Sequence, residues 1–319
     1  SETALQSGVS ATDWSWAPLF ADFDNDGNKD LFISSGIVKR PVDLDYVRFV
    51  SDLVMKLNID ESNEFDNEAI DNMHDGSSHP YFYQGDGKIN FNDVSEAWGT
   101  AAMKGYFNGA SYADLDNDGN LDLVINCLNA PAVVLKNKAP KKNSIDIEFV
   151  GTGKNTRGIG ARAWIFAKGK MQYGQVMSTR GFQSSCDPRL HFGLDSLHNI
   201  DSMLIVWPDQ KYQLIKTIPV VGRITVNQRE AGGRFNYDQF FPAAKPLFSD
   251  VTPQAGLNWT HEENDFLDFN KQYLTPHMES TRGPKLAVGD VNRDGLDDIY
   301  VCGASGQAGQ MLLQNAAGK

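Results

Sequence analysis

Cysteine is rare in this sequence, and three cysteines in 319 residues are too few and too scattered for a disulfide framework or a cysteine-rich zinc site. Basic residues are also in deficit, because 29 Lys and Arg stand against 41 Asp and Glu, which gives a net charge of −12. That balance opposes non-specific binding to nucleic acid or to an anionic membrane surface. No run of about 18 apolar residues is present, so no membrane-spanning helix is predicted.

Several catalytic patterns are missing as well. The sequence has no His-x-x-x-His pair, no Gly-x-Ser-x-Gly elbow and no glycine loop in the strand-to-helix context that phosphate binding requires. What is present is the composition of a folded chain, with 41% hydrophobic and 22% charged residues and a length that suits about two domains. We expect any secretion signal to lie outside this chain, because its first residues lack a charged segment followed by an apolar one.

An acidic segment occurs three times without gaps, as DFDNDGNKDLFIS from Asp22, DLDNDGNLDLVIN from Asp114 and DVNRDGLDDIYVC from Asp290. A short apolar segment precedes each copy and an alternating, β-branched one follows, so each unit is predicted as strand, acidic loop and strand. Further strands with Gly and Asn turns follow in YFYQGDGKINFNDVSEAWG from Tyr81, and the segments from Met311 and Pro246 match its two halves. This pattern is typical of four-stranded blades or similar meanders.

Two insertions interrupt the spacing of the repeats. In the first, apolar residues recur at intervals of three and four, which predicts an amphipathic helix over about residues 43–58. In the second, five short β-like segments separated by turns predict a small β-sandwich or barrel. The predicted domains are two repeats over 1–138 with a helical insertion at about 41–78, a β domain over 141–234 and a third repeat over 246–319.

The acidic loops have the ligand pattern of calcium sites, because calcium takes about six to eight oxygen ligands and alternating acidic residues in a tight loop supply them. Asp or Asn stands at positions 1, 3, 5 and 9 of each copy, Gly permits the turn at 6, and the residue at 7 offers its carbonyl. The predicted ligands are Asp22, Asp24, Asp26, Asn28, Asp30, Asp114, Asp116, Asp118, Asn120, Asp122, Asp290, Asn292, Asp294, Leu296 and Asp298.

Position 12 separates these loops from an EF-hand, which needs a bidentate Glu there at the start of a helix. Ile33, Ile125 and Val301 occupy that position, so the loops are predicted to join strands. The alternative interpretation is that Asp-Asn-Asp-Gly is only a good turn, but a turn does not require Asp or Asn at four positions in three copies. We therefore expect about three structural calcium ions, with magnesium disfavoured because it demands octahedral geometry.

These residues resemble two known families. The loops, with NGASYADLDNDGNLDLVIN from Asn108, look like the FG-GAP or VCBS repeats of integrin α-subunit propellers and many bacterial surface proteins. The insertion, with NTRGIGARAWIF from Asn155, HFGL from His191 and IVWPDQ from Ile205, resembles the ASPIC/UnbV domain that accompanies such repeats in cartilage acidic protein 1-like proteins. The third unit is similar to large multi-repeat members in Bacteroidetes.

The resemblance implies an all-β fold, as a partial β-propeller or open blade array with an inserted sandwich or barrel domain and one short helical insertion. It also implies calcium in the loops, an extracytoplasmic location at the cell surface or outside the cell, and binding or adhesion to a glycan or protein. Propellers close with about four to eight blades, so three units are expected to belong to a longer repeat array. Both ends fall at the same phase of the repeat, which fits that expectation.

Two other functions stay open at this point. An enzyme acting on polysaccharide, a lyase or hydrolase, would place its site between repeats and insertion, and His261 or His277 converging with a carboxylate would favour it. A purely structural part of a surface complex is favoured if the aromatic residues, such as Trp14, Trp16, Trp98 and Trp259 near the loops, prove buried and no groove exists.

Overall fold

A computed structural model describes residues 3–56, 70–71, 73–220 and 222–316. This part of the chain is predominantly β, with few helices and several separate sheets, none of them closed. The predicted β class is therefore confirmed. The chain forms two compact units, Ser1–Asn236 and Tyr237–Lys319. Among the described helices, none combines the length and the apolar character that crossing a membrane requires.

The first two repeats build two antiparallel sheets. Their strands are β1 (Ser15–Ala21), β2 (Asp30–Ser35), β3 (Ile37–Lys39), β4 (Asp75–Gly76), β5 (Tyr81–Gly85), β6 (Phe91–Asp93), β7 (Phe107–Ala113), β8 (Asp122–Cys127) and β9 (Val133–Leu135). The first sheet has the order β1, β2, β5, β6 and the second has the order β7, β8, β9, while β3 pairs only with β4. Each acidic loop joins the first two strands of its sheet.

One hydrophobic core serves both sheets. Alternate side chains of β1 and β7, such as Leu19 and Ala110, point into it together with Phe32 and Phe82 from the first sheet and Ile125 from the second. All five are less than a tenth exposed. Because period-2 alternation places these residues on one face of each strand, burying that face fixes the register of the hairpins. The acidic loops are thereby held at the ends of rigid strand pairs.

The first insertion contains the predicted helix. After a short helix α1 (Ala4–Ser7), helix α2 spans Leu44–Lys56. The Asp43 carboxylate accepts hydrogen bonds from the backbone N–H groups of Asp45 and Tyr46, at 3.0 and 3.2 Å, which satisfies donors that an α-helix leaves free at its start. The part of the predicted insertion at residues 57–69 lies outside the described residues.

The second insertion forms two sheets around one core. Its strands are β10 (Asn143–Val150), β11 (Arg162–Ala167), β12 (Lys170–Gln175), β13 (Leu190–Asp195), β14 (Asn199–Val206), β15 (Tyr212–Pro219) and β16 (Gly222–Asn227). One sheet has the order β13, β10, β16, with β10 and β16 parallel, and the other has the order β12, β11, β14, β15. Ile147 and Phe192 from the first sheet pack with Ile165, Met203 and Trp207 in a common buried cluster, which is the packing of a sandwich.

The second unit contains one three-stranded sheet. Its elements are α3 (Tyr237–Phe240), α4 (Thr252–Ala255), β17 (Leu286–Gly289), β18 (Asp298–Val301) and β19 (Gln310–Leu312). The sheet order β17, β18, β19 repeats that of β7, β8, β9. The match of the segment from Pro246 to a repeat strand predicted a strand there, and this prediction is wrong. Residues 246–251 are irregular, and Leu247 and Phe248 are 91% and 86% exposed. A strand is stabilised by pairing, and this segment pairs with no strand of the described chain.

A buried polar network joins the first acidic loop to the inserted sandwich. His191 on β13 lies 2.8 Å from Asp146 Oδ1 through Nδ1 and 2.7 Å from Asn25 Oδ1 through Nε2. The Asn25 amide in turn donates to the Asn120 side chain at 2.9 Å and to the carbonyl of Gly119 at 3.0 Å, both in the second loop. His191 therefore connects the sandwich to both repeats.

Replacing His191 by Ala is expected to lower the free energy of unfolding by about 1–3 kcal/mol, because it leaves buried polar groups of Asp146 and Asn25 without a partner. His198→Ala is the matched control, since His198 is exposed, and should change stability by less than about 0.5 kcal/mol. Chemical denaturation measures both. Equal effects of the two substitutions would show that the network contributes nothing.

Candidate metal-binding loops

The three acidic loops start and end at equivalent pairs of the strand register. Ala21 pairs with Asp30, Ala113 with Asp122, and Gly289 with Asp298, so position 9 lies opposite the residue before position 1 in every copy. Each hairpin thus brings its first and ninth positions to the same end of a sheet.

The first carboxylate of each loop closes the turn from inside. Asp22 accepts hydrogen bonds from the N–H groups of Asp26 at 3.1 Å and Gly27 at 2.8 Å. Asp114 accepts the same two bonds from positions 5 and 6 at 3.1 Å each, and Asp290 accepts them at 3.2 and 2.9 Å. The three copies therefore share one loop geometry.

The ninth carboxylate ties the loop to a third strand. Asp30 accepts the N–H of Phe23 at 2.9 Å with Oδ2 and the N–H of Gly85, at the end of β5, at 3.1 Å with Oδ1. Asp122 does the same with Leu115 and Asn137, and Asp298 does the same with Val291 and Gln314. This donor after the third strand was not predicted, because its distance from the loop along the chain varies.

Backbone conformation explains two loop positions. Position 4 has a positive φ in all copies, 57° at Asn25, 60° at Asn117 and 65° at Arg293, and position 6 is a glycine with φ between 86° and 92°. Asn tolerates the left-handed region better than most residues and Gly adopts it freely. The Asn and Gly residues at these positions therefore favour the turn conformation.

The structure brings three carboxylates together in each of the first two loops. Ligand oxygens of Asp22, Asp24 and Asp30 all lie within 4.8 Å of one another, and those of Asp114, Asp116 and Asp122 do so as well. Positions 1, 3 and 9 thus converge. The position-5 residues, Asp26 and Asp118, stand outside these groups, and each accepts the N–H of the predicted position-7 residue, Asn28 at 2.7 Å and Asn120 at 2.9 Å.

In the third loop, Asn292 replaces a carboxylate at position 3, and Asp298 is buried while Asp290 and Asp294 are exposed. The Asn292 amide donates to Asp294 Oδ2 at 2.9 Å, and Asp294 accepts the N–H of Leu296 at 2.8 Å. The loop keeps the hydrogen bonds of the other two with one carboxylate fewer at the predicted ligand positions, and Asp297 adds an acidic side chain at position 8.

Burial makes the first loop electrostatically distinct. Asp22 and Asp30 have no exposed surface. Removal from water raises the pKa of Asp22 to about 6 and that of Asp30 to about 7, although the backbone N–H donors act in the opposite direction. Burial also lowers the pKa of Lys29, against the attraction of Asp22. A charged carboxylate in this loop is costly without a cation beside it.

Lysines lie near the less buried carboxylates. The Lys142 ammonium is 3.8 Å from Asp24 Oδ1, and the Lys136 ammonium contacts Asp116. These side chains partly neutralise the loops, and a bound ion would compete with them. Both ion pairs are partly exposed, so solvent screens the attraction between their charges.

The histidines considered for catalysis each have a carboxylate neighbour. His261 Nε2 lies 3.3 Å from Glu263 Oε2, and His277 Nε2 lies 3.0 Å from Glu279 Oε1. Both pairs lie in the second unit. In the first unit, a cavity lies between the first repeat and the sandwich, and its wall includes Lys29.

The tryptophans singled out near the loops are all partly buried. Trp16 packs on Phe182 with ring centroids 4.8 Å apart and donates to the carbonyl of Gly36, and Trp98 packs on Phe82 at 5.2 Å. Trp16 therefore packs on the second insertion, and Trp98 packs within the first repeat.

The comparison with known families bears on the sandwich. Residues 151–233 match the family model described as ASPIC and UnbV, a range that begins after β10 and continues past β16. No curated protein matches the chain. The predicted resemblance of the inserted sandwich to the ASPIC/UnbV family is thus confirmed over residues 151–233.

Proposed function

We propose that the chain is a calcium-stabilised binding module of a surface or secreted protein, in which FG-GAP/VCBS-type repeats carry structural calcium and support an ASPIC/UnbV domain. One observation carries the proposal. Three loops far apart in the sequence share one set of hydrogen bonds, and in two of them carboxylates at positions 1, 3 and 9 converge within 4.8 Å. Such crowding of negative charge is relieved by a hard cation.

The side chains present fit calcium better than other metals. The side-chain atoms that the loops offer as metal ligands are carboxylate and amide oxygens, and no loop contains histidine or cysteine. Oxygen ligands suit hard cations, whereas softer transition metals prefer histidine or cysteine. Calcium accepts irregular oxygen shells, whereas magnesium holds its waters and demands octahedral geometry. The residues that would hold the ion are those at positions 1, 3, 5 and 9, with the carbonyl at 7. Bound calcium would neutralise the loop and fix the strand ends.

The repeats would act as a scaffold in this proposal, as blades of a partial propeller or of an open array continued by further repeats. A glycan or a protein is the proposed partner, and the extracytoplasmic location follows from the family resemblance and from the abundance of calcium outside the cell. The cavity between the first repeat and the sandwich supports binding over a purely structural role, since recognition sites are concave.

Calcium in excess is expected to raise the midpoint of thermal unfolding by at least about 5 °C relative to chelator. An ion that binds only the folded state, at one hundred times its Kd, adds about 2.7 kcal/mol per site. The same concentration of magnesium should have a much smaller effect. Differential scanning calorimetry with metal analysis of the purified chain measures this. Identical midpoints in calcium and chelator, with no bound metal, would refute the calcium sites.

Asp24→Ala should lower the calcium content from about three ions per chain to about two, because it removes one oxygen ligand and its charge from a single loop. Asp116→Ala should remove one ion from the second loop in the same way. Asp86→Ala, in an exposed turn outside the loops, is the matched control and should leave the content unchanged. Metal analysis after gel filtration counts the ions. An unchanged count in all three variants would exclude these carboxylates as ligands.

The stabilisation by calcium should grow as the pH rises from about 5 to about 8. The pKa of Asp22 is raised to about 6 and that of Asp30 to about 7 from a usual 3.8, so the metal-free folded chain holds more protons than the unfolded chain in this window. These groups therefore make the metal-free chain less stable as the pH rises. Calcium needs the deprotonated forms. Thermal unfolding with calcium and with chelator across this pH range measures the difference between the two midpoints. A difference that does not change with pH would show that protons and calcium do not compete for these carboxylates.

A further inference from the structure

A cavity of about 270 Å³ lies where the first repeat meets the inserted sandwich. It draws its wall from β1, the first acidic loop, β7, β12 and β13 and from the segment before β13. Three basic side chains, Lys29, Arg180 and Arg189, line it, and no acidic residue is among its lining residues in the described chain. That is unusual in a protein with a net charge of −12.

One of the three cations already has its counter-ion. Arg189 Nε donates to Asp187 Oδ2 at 2.7 Å, and the backbone N–H of Arg189 donates to Asp187 Oδ1 at 2.9 Å. This pair is internally neutral. The charge that faces the cavity therefore comes from Lys29 and Arg180.

Arg180 is held in place but not neutralised. Its Nη1 donates to the Tyr112 hydroxyl at 2.5 Å and its Nη2 to the carbonyl of Gln175 at 3.3 Å, and both partners are uncharged. Within the described residues no carboxylate lies within 4.0 Å of the guanidinium. A fixed guanidinium with unused N–H groups is suited to a carboxylate or sulfate, which it can bind through two parallel hydrogen bonds.

Lys29 is the second donor. Its Nζ makes one long hydrogen bond, 3.4 Å, to the carbonyl of His191 and lies 5.5 Å from the centre of the Phe192 ring. Lys29 and Arg180 line the same cavity, so an anion bound in it faces two basic side chains.

The remaining walls are apolar and aromatic. Phe20, Tyr173 and Met177 line the cavity and are each about half exposed, and the Tyr173 ring also packs on Trp164 with centroids 5.0 Å apart. The volume is just below the roughly 300–1,000 Å³ of sites for drug-sized ligands, so one ring with its substituents fills it. Aromatic surface beside a fixed guanidinium favours an anion carried on a ring with an apolar C–H face, such as a sugar ring, over a flexible acidic side chain.

We propose that this cavity binds an acidic sugar residue, with its carboxylate or sulfate held by Arg180 and Lys29 and its ring against Phe20 and Tyr173. The assignment rests on the proposed binding role and specifies its ligand class as an acidic saccharide. The two possible sources of the anionic group, a uronic acid and a sulfated sugar, are separated by the test.

Isothermal titration calorimetry of the full chain in calcium and low salt tests the site with seven probes: glucuronate, galacturonate, a sulfated monosaccharide, glucose, inorganic sulfate, free glutamate and a short Glu-rich peptide. At least one acidic sugar is expected to bind about tenfold or more tightly than glucose. Arg180→Gln should weaken that binding by about ten- to a hundredfold, because it removes charge-assisted hydrogen bonds. Arg157→Gln removes the same charge from an exposed position of the same domain and should bind as the unaltered chain does.

Two further variants separate the ring from the charge and guard against misfolding. Phe20→Ala should weaken the acidic sugar and leave inorganic sulfate unchanged. Arg180→Lys keeps the charge, so it is the variant to use if Arg180→Gln lowers the midpoint of unfolding, and it should weaken binding less.

The proposal is overturned if no acidic sugar binds better than glucose, or if the Arg180 variants bind as the unaltered chain does. It is equally overturned if free glutamate or a short Glu-rich peptide binds more tightly than every acidic sugar. Failure here with the calcium shift intact would refute only the ligand class, whereas loss of the calcium shift would refute the metal sites.

Discussion

The crowding of carboxylates in the first acidic loop is the constraint on which the first unit depends. Oxygens of Asp22, Asp24 and Asp30 lie within 4.8 Å of one another, and two of these residues have no exposed surface. Backbone N–H groups satisfy part of their hydrogen-bonding capacity, and one of these comes from Gly85 at the end of β5. The buried carboxylates of this loop therefore also connect its hairpin to strand β5 through backbone hydrogen bonds.

This loop is also the point where the repeats meet the sandwich. A Cβ on Gly193 would lie 2.0 Å from Asp22 Oδ2, so only glycine allows β13 to approach so closely. Beside it, the Asn25 amide links His191 of the sandwich to Asn120 of the second loop. A change in the charge or shape of the first loop therefore alters contacts with both the sandwich and the second loop. Occupancy of the proposed metal site there would therefore be coupled to the packing of the inserted sandwich through these shared contacts.

Local features of this fold could be predicted from the sequence, whereas its long-range contacts could not. Alternation and turn residues identified the strands around each loop, and three-and-four spacing identified α2. Strand β13 was not predicted, because a glycine interrupts its short apolar pattern. The strand predicted from Pro246 is not formed, because a strand-like sequence does not by itself provide a neighbouring strand to pair with. The contact between Asn25 and His191 spans 166 positions, and no local pattern encodes it.

The third loop shows how far a repeated motif determines its own chemistry. Asp290 and Asp298 accept the same backbone hydrogen bonds as their counterparts Asp22 and Asp30, so the motif alone fixes the shape of the turn. Asp290 is nevertheless exposed, whereas Asp22 is buried and lies against Gly193 of the sandwich. Desolvation of the loop carboxylates is therefore set by what packs on the loop and not by the motif. The first and third loops share one pattern of hydrogen bonds but differ in the burial of their first carboxylate.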